Sequence, residues 1–180
     1  MRHVPHRSFV EMRHLLFLPA CCTLLVSFAP HELPLRNAND VVHDSIPAVN
    51  RRIVEYVQSQ MGKKVDRGEC WDLAAGALNT AGATWDGFYG FGTVVDWRKH
   101  DVLPGDIIQF ENVSVEYRTE TSIRRDTYGK HTAIVFQVQA RGIFVIAHQN
   151  FEDVRKVTTA DLRMADVRGG KLVFYRPVGD

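Results

Sequence analysis

The chain reads as an α+β domain in which N-terminal helices pack on a five- to six-stranded antiparallel sheet or half-barrel. Three observations predict it. Ile46, Val49, Ile53, Val57 and Met61 recur at three and four residues, as one face of a helix does. Cys70, Leu73, Ala74, Ala77, Leu78 and Ala81 repeat that spacing. After Pro104-Gly105 the texture changes to short strands.

Each element has its own signals. The first helix is expected from Ser45, a capping residue, with Pro47 in the first turn and Gly62 as the stop. The second runs from about Glu69 to Ala81 and ends at Gly82, its alanines and Gly76 allowing close approach of another element. Residues 84–98 are aromatic and glycine-punctuated, without periodicity. Strands are expected near 106–111, 113–120, 131–138, 143–150, 153–158 and 171–176, with a short helix at 159–165. The glycines of Gly87-Phe88-Tyr89-Gly90-Phe91-Gly92 do not link a strand to a helix, which argues against a phosphate-binding loop.

Composition bounds the function. The length of 180 residues suits one domain, and 22 basic against 21 acidic residues give a net charge of +1. No basic footprint for nucleic acid exists. Leu15 to Ala29 is uncharged and follows Arg13 and His14, the pattern of an export signal too short to span a bilayer. Residues 1–29 are therefore expected to be a signal peptide or anchor, 30–44 a polar linker, and 45–180 the folded domain. Membrane contact is expected only through the first segment, if uncleaved. Cys21 and Cys22 fall inside that segment, so an exported chain keeps Cys70 as its one thiol, free for chemistry or simply a small buried hydrophobe.

Cys70 stands in the first turn of its helix, where unsatisfied N–H groups favour a thiolate. Glu69 and Asp72 oppose this, and are expected to point away. His131 opens an apolar strand directly after a polar loop. A hairpin turning at 139–142 with Val138 opposite Ile143 puts Asn150 across from His131 and His148 one diagonal step away. An imidazole whose tautomer is fixed by Asn150 or His148 is what a thiol nucleophile needs. Cys70, His131 and His148 are also zinc-ligand types, but no short ligand spacing accompanies them, so neither metal nor cofactor is expected.

The blocks Gly68-Glu69-Cys70-Trp71-Asp72-Leu73-Ala74, Pro104-Gly105-Asp106-Ile107-Ile108-Gln109-Phe110, His131-Thr132-Ala133-Ile134-Val135 and His148-Gln149-Asn150 resemble the papain-like cell-wall hydrolases. These are the CHAP domains and their NlpC-type relatives. CHAP domains commonly end the pattern with Glu-x-Asn, whereas His148 stands here in the glutamate position. The wording is closer still to the cysteine-proteinase-fold domain of some fungal actin-patch scaffold proteins. The resemblance implies a papain-like fold over about residues 46–176. It also implies an exported peptidase or amidase acting on peptide or peptidoglycan-like substrate through Cys70, His131 and Asn150 or His148. Trp71 and Trp85 would then wall a substrate groove, and Gln109 would assist at the oxyanion. The competing expectation is a binding module that keeps the fold without the turnover. A zinc protein is a third, lesser alternative.

Overall fold

The computed structural model describes residues 46–180, so the signal, linker and Ser45 expectations lie outside the described residues. Helix α1 is Ala48–Gln60 and helix α2 is Cys70–Ala81. The strands are β1 (Thr93–Val95), β2 (Ile107–Arg118), β3 (Ile123–Ala140), β4 (Ile143–His148), β5 (Thr158–Arg163) and β6 (Val167–Arg176). They form one antiparallel sheet in the order β1-β6-β2-β3-β4-β5. The α+β expectation holds, with six strands.

Both helix faces are those the spacing predicts. Val49, Ile53 and Val57 are fully buried on α1, as are Leu73, Ala74, Ala77, Leu78 and Ala81 on α2. Helix α2 ends where glycine at 82 takes φ +70°, a left-handed turn that costs other residues energy. A Cβ at Gly76 would sit 2.4 Å from the Tyr56 hydroxyl, so the small residue there does admit α1.

The sheet separates two cores. Ile107, Ile134 and Ala147 pack with the helices, whereas Ile108, Phe110, Ala133, Val135, Phe144 and Ile146 form a second core on the opposite face. Strand alternation makes this division: from Ala133 to Phe136, odd and even positions of β3 belong to different cores.

A corner at Pro104–Asp106 ties the helices to the sheet. Asp106 is fully buried; its carboxylate accepts Asn50 Nδ2 (2.9 Å), the Leu103 amide (2.9 Å) and both Nε and Nη2 of Arg176 (2.9 Å each). Gly105 has φ +85°, and a Cβ there would lie 2.5 Å from Asn50 O, so backbone packs on backbone. The apolar pattern gives no sign of this network, because its members are polar and far apart in sequence.

Several boundaries differ from expectation. The first two predicted strands are one, β2, kinked at Asn112 (φ +52°) where its pairing with β6 shifts register. Strand β3 starts at Ile123 rather than 131, because residues 123–130 continue the ladder with β2. The segment expected as a strand at 153–158 is irregular with isolated bridges at Val154 and Val157, and the expected helix at 159–165 is mostly β5, followed by a 3-10 turn at Met164–Asp166. There Leu162 pairs with Phe144 and is fully buried, so partnership with β4 overrides local helix preference.

Candidate functional site

Cys70 begins α2, as predicted, with Glu69 as the capping position. The Asp72 carboxylate turns back to accept the Glu69 amide at 3.0 Å and holds Arg67 Nη2 at 2.6 Å. Asp72 is thus spent on the helix start. Glu69 departs from expectation: its charge does bear on the thiol. Burial, foremost, and then Glu69 push the Cys70 thiol up, while the amides of Thr132, Trp71 and Cys70 itself pull the other way, and the net shift is upward.

His131 and His148 meet as the diagonal prediction requires, with His131 Nε2 at 3.1 Å from His148 Nδ1. The hairpin reaches this geometry by a different path. Its turn is the two residues Arg141-Gly142, not four, and Val138 pairs with Phe144. Two register shifts restore Ile134 opposite Ala147, the alignment on which the diagonal depends. Both rings are buried among Phe110, Tyr128 and Phe151, in the second core. The Phe151 ring stacks on His148 at 5.1 Å and on Tyr128 at 4.6 Å, capping the pair. Desolvation, with the neighbouring His148 as a lesser contribution, lowers His131 to about 3, and desolvation lowers His148 to about 4. Both imidazoles are neutral at physiological pH.

Asn150 does not orient His131, a correction to the sequence expectation. Strand β4 ends at His148, and Asn150 enters a left-handed turn (φ +58°). Its amide N–H donates to Val154 O and its Nδ2 to Glu69 Oε2 (2.6 Å). Arg155 Nη1 binds the other Glu69 oxygen at 2.8 Å, so this turn is fastened to the start of α2. Gln149 completes the fastening: it is fully buried, accepts the Val65 amide and donates to Val65 O and Glu69 O (2.7 Å). The sequence pattern assigns Gln149 no role. Its signal is position, since it shares the helix-facing parity of Ala147.

The same parity separates the nucleophile from the base. Thr132 and Ile134 face the helices, whereas His131, Ala133 and Val135 face the second core. The Thr132 amide acts on the thiol, while His131 Nε2 faces His148. A pocket of about 420 Å³ reaches Lys130, His131, Asn150 and Phe151, and Cys70 is not on its wall. A smaller one of about 200 Å³ reaches His148 from the other side of Phe151. A more apolar pocket, about 320 Å³ between Trp97, Leu103 and Phe144, contains none of the predicted site residues.

The predicted substrate-contacting residues are braced within the fold. Gln109 is buried on the helix-facing side, where Oε1 accepts the Thr132 hydroxyl at 2.8 Å. Trp71 Nε1 donates to Phe88 O at 2.8 Å and Trp85 Nε1 to Asn79 Oδ1 at 2.9 Å. The two indoles lie 5.7 Å apart, and Trp85 stacks on Phe91 at 6.0 Å. They support a loop that leaves Phe88 72% exposed. Among the described residues no group of three metal-ligating side chains converges.

The model of the AIM3/BBC1 cysteine proteinase-fold domain matches residues 31–180. The chain belongs to that family. Altered inheritance of mitochondria protein 3 of Debaryomyces hansenii is 28% identical over 167 residues, or 81% of this chain. The match spans only 18% of that relative's own length. A solved structure described as the crystal structure of Ly7917 overlaps with a TM-score of 0.44 and 18% identity, over 70% of this chain and 62% of that one. The AIM3/BBC1 domain accordingly has a cysteine-proteinase fold. Among its described residues no helix is long and apolar enough to cross a membrane.

Proposed function

We propose that this AIM3/BBC1 domain is a recognition module that retains the cysteine-proteinase fold without its turnover. One observation carries the reading: His131 Nε2 is engaged by His148 Nδ1 at 3.1 Å, and the two rings are buried as a pair among the aromatic side chains of the second core. Acyl transfer through sulfur requires a base that takes the thiol proton. Moving it from a thiol in the ordinary range to an imidazole at about 3 is uphill by roughly 7 kcal/mol, before burial of the thiol adds to the gap. The ligand in this reading is an extended segment of another polypeptide, lying across the start of α2. The exposed Phe88 and the braced Trp71 favour such a contact.

A second reading, a thiol hydrolase acting on peptide or cell-wall substrate outside the cell, has its own support. Cys70 starts a helix, and the 3.1 Å contact leaves His131 Nδ1 free while His148 holds Nε2. Alkylation of Cys70 by iodoacetamide across pH separates the two. A thiol titrating at or above the usual ~8.5, unchanged by His131→Ala, is expected of the module. Titration well below that, returning upward in His131→Ala, would establish the hydrolase pair instead.

A further inference from the structure

The outer face of the β2–β3 ribbon carries a charge arrangement that neither Cys70 nor the histidine pair explains. Val113, Val115 and Tyr117 turn toward the second core, so Glu116 and Arg118 turn outward. Yet the Glu116 side chain is only 7% exposed, because arginines cover it. Arg118 Nε and Nη2 bind its Oε1 at 2.8 and 2.6 Å, and Arg125 Nη2 binds Oε2. Arg168 Nε stands 3.8 Å from Oε1. The three arginine side chains are themselves 63%, 63% and 46% exposed. One buried carboxylate thus gathers three cations at the surface and neutralises one of them.

We propose that Arg118, Arg125 and Arg168 form a docking site for a phosphorylated serine or threonine of a partner polypeptide. Each guanidinium has five N–H donors, and Glu116 uses one or two of them on any one arginine. Arg168 also donates Nη1 to Ala165 O at 3.1 Å; the donors left over on the three side chains form planar forks that match phosphate oxygens two at a time. Anchoring on Glu116 restricts the side chains beforehand, so less rotamer freedom is lost on binding. The residual charge of two matches a phosphate monoester near its dianionic form.

The surroundings favour a peptide over a lipid surface. Among the described residues Ile123 is the large apolar side chain exposed at the Arg118–Arg125 end of this hairpin, with Val138 at the far end of β3, so an apolar wedge for a bilayer is small. Gly169 follows Arg168 and pairs with Ser114; a Cβ there would meet nothing within 4 Å. It leaves open, flat backbone on which an extended chain can lie. This site is independent of Cys70 and stands whether or not the thiol is catalytic.

Fluorescence anisotropy with a labelled Gly-Ser-Gly-phosphoserine-Gly-Ser peptide tests it. Wild-type protein should bind that peptide, ignore its unphosphorylated counterpart, and release it to inorganic phosphate. Arg118→Gln combined with Arg168→Gln should weaken binding by about tenfold or more, whereas Arg163→Gln on β5 should change it little. Circular dichroism checks that the variants fold. Should the double variant unfold, Arg168→Gln alone, at the loosest of the three contacts, should still weaken binding severalfold. Equal binding of both peptides, or no loss in the arginine variants, would overturn the proposal. So would binding to phosphatidylserine-containing vesicles with no binding of the phosphopeptide, which would make this a membrane face.

Discussion

His131 and Thr132 are neighbours in sequence and belong to different cores. On the Thr132 side lie Gln109, Ile134 and the helices, with the Thr132 amide reaching the Cys70 thiol and the Thr132 hydroxyl donating to Gln109 Oε1. On the His131 side lie His148, Tyr128 and Phe151, where the Tyr128 hydroxyl is buried with no hydrogen-bond partner among the described residues. The first side is a fastened structural seam. The second is a neutral aromatic and imidazole cluster held by desolvation and stacking. Motif order brings Cys70 and His131 to one strand-helix junction, while the alternation of the strand turns Thr132 and His131 to opposite faces.

The contrast is sharpened most by removing what sets it. Asp106→Ala unpairs Arg176 and leaves Asn50 and the Leu103 amide without their acceptor, at a cost of about 3–5 kcal/mol in denaturant unfolding. Because the corner joins α1 to the sheet, loss should fall first on hydrogen-exchange protection of the helices.

Acid tests the other side. The unfolded histidines take up protons near 6.5, while the folded ones resist down to about 3 and about 4. Below 6.5 the unfolded state therefore binds more protons, and stability present above 6.5 is lost as pH falls toward the folded values. From pH 7 to pH 5 the pair should lose up to about 4 kcal/mol, roughly 2 per ring. His148→Gln should reduce that slope by about half in unfolding titrations. A slope unchanged by this substitution would assign the acid sensitivity elsewhere.

Thr132→Val gives the smallest effect. It deprives buried Gln109 Oε1 of its donor and should cost about 1–2 kcal/mol, with the acid slope unaltered. A change in that slope would mean that the two faces of β3 are coupled.

Much of this arrangement is legible in the sequence, and unevenly so. The faces of α1 and α2 follow from spacing because an apolar stripe at 3.6 residues has one way to bury itself. Cys70 at the helix start and the diagonal contact of His131 with His148 are legible too. The second comes out right through a hairpin that is wrong, since register shifts compensate for the shorter turn. The role given to Asn150 fails because β4 stops two residues before it. The Asp106 network and the Gln149 clamp leave no periodic trace, being single polar residues whose partners lie at least 54 and 80 positions away, apart from the local Leu103 amide. Strand β5 reads as helix because Ala160, Asp161 and Leu162 have no strand preference of their own and take it from β4.

The central claim is that the imidazole pair is neutral and electrically indifferent to Cys70. Long-range proton–nitrogen NMR of the histidine rings across pH measures this directly. The account predicts that His131 and His148 stay neutral to below pH 5, with the Nε2–Nδ1 contact fixing their tautomers, and that Cys70→Ser leaves both curves in place. A ring titrating at or above 6.5 that moves when the sulfur is removed would contradict it.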